Sequence, residues 1–298
     1  MATTNNITST YVGKDSGQFI SPILYGAPTL GVPGVTIRSN VNWKSRITTI
    51  ALSGIIKDQT CAWDATGTVN QGENWLQVKP LEVNLELCKA DYYDDFIGQD
   101  MGCKDSLPAD FLRYMVGEIG NVIADDLETK IWQGAAGAGS FDGYTTKFKT
   151  DATVLDVDNA AAALTSTTII AEARKVFAAA PAALLAASDV YLYMNAKSAQ
   201  LLREAQNDKG NASPCGENCV ALDGITIFVT GGIPDNEMVL ARKANLFFGT
   251  WMQSDIQSIG VKDMSEFFEQ NVRFAACFFA GVGYGYGAEV VYYWNATP

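Results

Sequence analysis

The residues of this chain best suited to chemistry are six cysteines: Cys61, Cys88, Cys103, Cys215, Cys219 and Cys277. The tightest pair is Cys215-x-x-x-Cys219, flanked by Pro214 and Gly216. That spacing serves half of a zinc site, a disulfide, or two unbridged thiols. A zinc site would need two further ligands, and the chain contains no histidine. The same absence removes Ser-His-Asp and Cys-His nucleophile systems. Paired acids occur at Asp94-Asp95, Asp125-Asp126 and Asp156-x-Asp158. Such pairs serve carboxylate catalysis or divalent cations, but their setting here reads as solvated surface. Gly283-Tyr284-Gly285-Tyr286-Gly287-Ala288 spells a dinucleotide fingerprint, which requires a helix to follow. Only ten residues follow, and they read as strand, so the glycines are assigned to strand curvature. No catalytic residue, cofactor or metal is expected.

Trp63 and Trp75 flank a turn-rich stretch. Aromatics there serve either as stacking platforms for a ligand or as anchors in a protein interface. The second reading is preferred.

The elements that hold these residues are drawn from 298 residues, 48% hydrophobic and 18% charged, enough for a sizeable core. The net charge of −12, from 33 acidic and 21 basic residues, argues against a chain that neutralises nucleic-acid phosphates. No stretch approaches the roughly 20 apolar residues of a membrane span. The polar start, MATTNNITST, has no apolar signal core. A cytoplasmic origin, reduced and mostly buried thiols, and no membrane partner are the expectations.

Residues 1–40 carry Pro22, Pro28 and Pro33 and read as an extended arm. Its apolar residues, Phe19 and Tyr25 among them, predict docking on another surface. Residues 41–88 are β-rich. Arg46 to Leu52 leads through turn residues at 64–67 and 70–72 to Trp75–Val78 and the alternating Leu81–Leu87, a long projecting hairpin. A two-stranded ribbon is marginal alone, so this one is expected to lie against another subunit.

A helix runs from Pro108 to Gln133. Phe111, Leu112, Met115, Val116, Ile119, Val122, Ile123, Leu127 and Ile131 form its apolar face, and Gly134 ends it. Ile119, Val122 and Ile123 are expected to face a sheet. Gly117 and Gly120, each worth about 1 kcal/mol against Ala, are read as close-packing positions. An α/β module follows over residues 165–255, with helices at 167–180 and 196–205 and strands at 189–194 and 225–229. Short strands at 238–240 and 246–251 complete it. The end is aromatic strand, 267–282 and 289–294.

This order of elements resembles the Hong Kong ninety-seven-type major capsid fold of tailed bacteriophages. Lys79-Pro80-Leu81-Glu82-Val83-Asn84-Leu85-Glu86-Leu87-Cys88 resembles the strand leaving that family's extended loop. Leu222-Asp223-Gly224-Ile225-Thr226-Ile227 with Gly232-Ile233-Pro234 resembles its axial-domain strand and turn. Ala244-Asn245-Leu246-Phe247-Phe248-Gly249-Thr250, then Gln270-Asn271-Val272-Arg273-Phe274 and Gly281, resembles its closing passage.

The resemblance implies an α+β chain in five parts. These are an N-terminal arm (1–40), an extended β-hairpin loop (41–88), a peripheral domain with a spine helix (89–160), an axial domain (161–250) and closing peripheral strands (251–298). It implies a structural subunit, not an enzyme, that self-assembles through pentamers and hexamers into an icosahedral head around double-stranded DNA. Assembly would take place in the bacterial host cytoplasm, and the subunit would end in the virion. An encapsulin-like compartment shell is the alternative. The long N-terminal scaffolding segment of some relatives is lacking, so a separate scaffolding protein, or none, is implied. A portal and decoration proteins are further partners, with DNA touched only weakly. Assembly contacts are expected at Trp63, Trp75, Phe19 and Tyr25, and in the axial loop at Asn211, Cys215 and Cys219.

Overall fold

The computed structural model describes residues 27–31, 34–59, 61, 63, 66–89, 109–159, 163–208, 220–251, 259–267 and 269–295. Two sheets and a free ribbon organise them. The longest strand, β12 (Asn271–Tyr284), is the spine of a five-stranded sheet. It pairs antiparallel with β11 (Ile259–Asp263) through its first half and with β10 (Leu246–Gly249) through its end. Across from β11 it pairs antiparallel over ten residues with β4 (Lys79–Cys88). The fifth strand, β1 (Thr36–Arg38), runs parallel beside β10, so the last part of the sequence-assigned arm is built into the body.

The second sheet has six strands in the order β5 (Leu155–Asp158), β13 (Val290–Trp294), β9 (Met238–Arg242), β6 (Val190–Asn195), β8 (Ile225–Thr230) and β7 (Val220–Leu222). Its central strands read as continuous apolar runs because both faces are covered. Leu192, Met194, Leu240, Val291 and Tyr293 face helices α3 (Ile169–Ala179) and α5 (Ala196–Asp208). Tyr193, Val239, Ala241, Val290 and Tyr292 face a core shared with the first sheet. There they meet Leu127, Ile131 and Trp132 of the long helix α1 (Ala109–Gln133) and Tyr144 and Phe148 of α2 (Tyr144–Thr150). A one-turn helix, α4 (Ala182–Leu185), adds Leu184 to the outer core.

At about 1.5 Å per residue α1 spans roughly 38 Å. Its buried stripe differs from the expected one. Ile123 is 8% exposed, and Ala124, Leu127, Glu128, Ile131 and Trp132 are buried, whereas Val122 is 67% exposed. The 3- and 4-residue steps run through 124 and 128, which places Val122 outside. A Cβ on Gly117 would meet nothing, so that glycine does not mark close packing. Gly134 ends the helix as expected: its N–H bonds the Lys130 carbonyl, and a side chain there would collide with the Phe141 and Lys130 carbonyl oxygens.

Residues 27–31 and 34–38 strap the sheets together. Ala27, Leu30 and Val35 lie in the shared core, and the Tyr193 hydroxyl donates to the Gly34 carbonyl at 2.9 Å. Glu128, buried in the interior, accepts from the Thr29 N–H (3.1 Å), the Thr29 hydroxyl (2.5 Å) and the Thr230 hydroxyl. The Thr29 hydroxyl in turn accepts from the Trp132 indole at 2.7 Å, and the Thr230 hydroxyl from the Gly232 N–H at 3.1 Å. Every polar atom in this cluster has a partner, which is the condition for burying it.

Candidate assembly surfaces

The ribbon is β2 (Lys44–Ser53) paired antiparallel with β3 (Thr68–Gln77) through ten rungs, about 31 Å long. Side chains alternate between its two faces. On one face Ile47 and Leu76 are buried at the base, with Val41 and Val78, against Phe247 and Phe279. Further out that face is small and polar: Thr49 opposite Gly72, Ala51 opposite Asn70, Ser53 opposite Thr68. The opposite face begins mixed, with Lys44, Arg46 and Glu73 around Trp75, and ends apolar, with Ile50 and Leu52 beside Val69. The apolar side therefore changes faces along the ribbon. Its base packs on its own body, and its distal third presents oily side chains away from that body. Ile55, Ile56 (92% exposed) and Trp63 (91% exposed) continue this character into the tip.

The ribbon reaches the body over a track of glycines. A Cβ on Gly281 would collide with the Gln77 carbonyl, and one on Gly283 would stand 3.3 Å from the Leu76 backbone. The Gly-Tyr repeat thus permits close crossing of two strands. Past Val78, whose N–H bonds the Trp43 carbonyl at 3.0 Å, the chain leaves the ribbon and joins β12 as β4. The Leu81–Leu87 run is a sheet strand, not part of the hairpin.

Trp63 lies in the tip, as its spacing suggested. Trp75 does not. It pairs with Arg46 near the base, 38% exposed, with the Lys44 ammonium 4.0 Å above its ring. Asn70-Gln71-Gly72, which carry turn chemistry, lie in β3, with Asn70 and Gly72 on the small face of the exposed ribbon and Gln71 opposite Ile50. The real turn is bounded by Gly54 (φ 66°) and Gly67 (φ 94°), both in the region that favours glycine. Phe19, Tyr25, Asn211, Cys215 and Cys219 lie outside the described residues, as do Cys103 and Asp94-Asp95. Cys61 and Cys277 are exposed free thiols and Cys88 is half-buried, contrary to the expectation of mostly buried thiols. Phe267 belongs to a 3-10 turn before β12 and is exposed, not in a strand.

Where α1 crosses β4 and β12, Met115, Val116 and Ile119 pack loosely on Leu87, Val261, Val272 and Phe274. At the end of β4, Lys89 (side chain 3% exposed) donates to Asp263 at 2.6 Å and to Ser265 at 2.5 Å. Burial works against the Asp263 charge, but the Lys89 ammonium and the Ser265 donors outweigh it and hold the carboxyl below its ordinary range.

Two packed sheets, a long helix and a projecting two-stranded ribbon make up the Hong Kong ninety-seven-type fold. The chain matches the capsid subunit of a native GTA particle with a TM-score of 0.62 at 14% identity, 87% of each chain being covered. It matches a satellite phage P4 procapsid that includes a size-determination protein with a TM-score of 0.59 at 10% identity, over 93% of this chain and 98% of that one. A virus-like particle from Pyrococcus furiosus gives 0.52 at 12% identity, over 94% and 98%. No protein-family model and no curated protein matches the chain.

Proposed function

We propose that this chain is a structural, non-enzymatic major capsid subunit that self-assembles into the icosahedral head of a tailed phage enclosing double-stranded DNA. The observation that carries the reading is the ribbon whose distal apolar face turns away from its own body. An unpaired ribbon of this length with Ile50, Leu52, Val69, Ile56 and Trp63 in water is unfavourable alone, and a second copy of the chain is the partner that the fold supplies. In this reading the six-stranded sheet with α3 and α5 is the axial domain, and 207–220 is the loop at the symmetry axes. The five-stranded sheet and α1 are the peripheral domain. Trp63 and the arm residues Phe19 and Tyr25 are contacts between copies, and Asn211, Cys215 and Cys219 gather around the axes. A scaffolding protein, a portal and decoration proteins complete the particle, which assembles in the host cytoplasm.

The likeness to the virus-like particle supports a second reading, a protein compartment with the same subunit fold. Electron microscopy of the purified protein tests the class: closed shells are expected, and dispersed small particles would reject both readings. Nucleic acid inside native shells supports the head, and a protein cargo supports the compartment. Replacing residues 55–66 by a short turn is expected to leave a folded subunit that no longer closes shells.

A further inference from the structure

The ribbon packs on the body at its base, and a second contact, well above the base, also reaches it. Ile50 lies six residues beyond Lys44, about 20 Å up the ribbon. Its backbone N–H donates to the Tyr286 hydroxyl at 3.0 Å, and that hydroxyl donates to the Ile50 carbonyl at 3.3 Å. One phenol thus meets both backbone groups on the edge of β2 away from β3, where a next strand would bond.

Tyr286 is itself held from below. The buried Asn245 carboxamide accepts from the Gly285 N–H (3.0 Å) and the Tyr286 N–H (2.8 Å), and donates to the Tyr286 carbonyl (2.8 Å). The Asn245 carbonyl accepts from the Gly285 N–H as well, at 3.1 Å. A Cβ on Gly285 would stand 2.9 Å from the Asn245 side-chain oxygen, so glycine is required for this seat. The turn between β9 and β10 therefore fixes the backbone at 285–286, and that backbone aims one ring at the ribbon.

We propose that Tyr286 is a positioning residue: a brace that sets the angle at which the ribbon leaves the body, and through that angle the curvature at which copies join. The second half rests on the capsid reading; the first stands on the geometry alone. A ribbon hinged at 43–44 and 77–78 has one rotation left to fix, and a contact 20 Å from the hinge fixes it with the longest lever available (about six strand residues). The Gly283–Ala288 motif then has a divided role: its first glycine lets the ribbon cross, and its second tyrosine holds it.

The test is Tyr286→Phe in the full chain, which removes only the hydroxyl from a half-exposed ring and leaves no buried group unpaired. Amide exchange at Ile50 is expected to rise roughly two- to ten-fold, the range set by one exposed hydrogen bond. Exchange at Ile47 should stay as in the wild type. Tyr293→Phe, which removes a hydroxyl that bonds the six-stranded sheet to Glu172 of α3, is expected to leave Ile50 unchanged. Particles of the Tyr286→Phe chain are expected to spread more widely in diameter than those of the wild type. Wild-type exchange at Ile50 in the variant would overturn the brace. Faster exchange with no wider spread in diameter would overturn its control of curvature. If the wild-type chain forms no shells, the capsid reading fails while the exchange result still decides the brace. A Tyr286→Phe chain that does not fold would overturn the proposal by making the hydroxyl a requirement of the body.

Discussion

Glu128 shows how much one buried side chain can organise. Its oxygens gather the strap at Thr29 and strand β8 at Thr230 on the core face of α1. Glu128→Ala strands an N–H and two hydroxyls in the interior, and is expected to cost about 3 kcal/mol in urea unfolding. Glu128→Gln keeps one oxygen for the two hydroxyls but sets an NH₂ against the Thr29 N–H, so its midpoint should fall between the other two. Asp263 gives a pH signature. Its folded-state pKa is held below the ordinary carboxyl value, so the unfolded chain binds the proton more readily. The stability it contributes is complete above the ordinary value of about 4 and is lost as pH falls through the lower folded value. The difference in thermal midpoint between wild type and Asp263→Asn should therefore be steady near neutral pH and close below about pH 4.

At the scale of elements, α1 serves two masters. Its second half is sealed in the shared core, and its first half rests on the small cluster around Phe274. Ile123→Asp places an unpaired charge at a buried position and is expected to destabilise by about 3 kcal/mol or more, or to leave the protein insoluble. Val122→Asp, one residue away on the open face, is expected to change stability by less than about 0.5 kcal/mol. Equal effects at the two positions, measured by chemical denaturation, would contradict the placement of this helix. The adjacent exposed residues Asp125 and Asp126, the latter paired with Lys130, fit the same open face.

At the scale of the molecule, the capsid reading carries an expectation about charge: the subunit should hold DNA only weakly. Of the basic groups nearest to forming a patch, Lys44 sits over Trp75, Arg46 faces Glu73 at 3.6 Å, and Arg242 bonds Asp189 at 2.9 Å. Each is committed to a neighbour within a chain of net charge −12. Unassembled subunits titrated with duplex DNA are expected to bind weakly, with a salt slope below about 2. Tight low-salt binding with a steep slope would point to a nucleic-acid-binding role.

Much of the fold was legible in residue order, because strong periodicity survives any packing. The helix ending at Gly134, the strands at 190–195 and 225–230, and the alternation of Leu81–Leu87 depend on local pattern alone, and the sequence determined them. The short elements α2, β5 and β11 were not legible: a strand of four or five residues or a two-turn helix carries too little periodicity, and neighbours such as β12 and β13 hold it in place. Trp75 and Asn70–Gly72 were misplaced because turn chemistry also suits an exposed ribbon. Which face of α1 is buried turned on Ala124 and Glu128, and a polar residue joins a core only when partners 99 and 102 positions away complete its hydrogen bonds. The Tyr286 contact with Ile50 spans 236 positions. No local signal encodes such a meeting; the crossing of β3 over the glycines of β12 creates it, so the seat of the ribbon was decided by the tertiary structure alone.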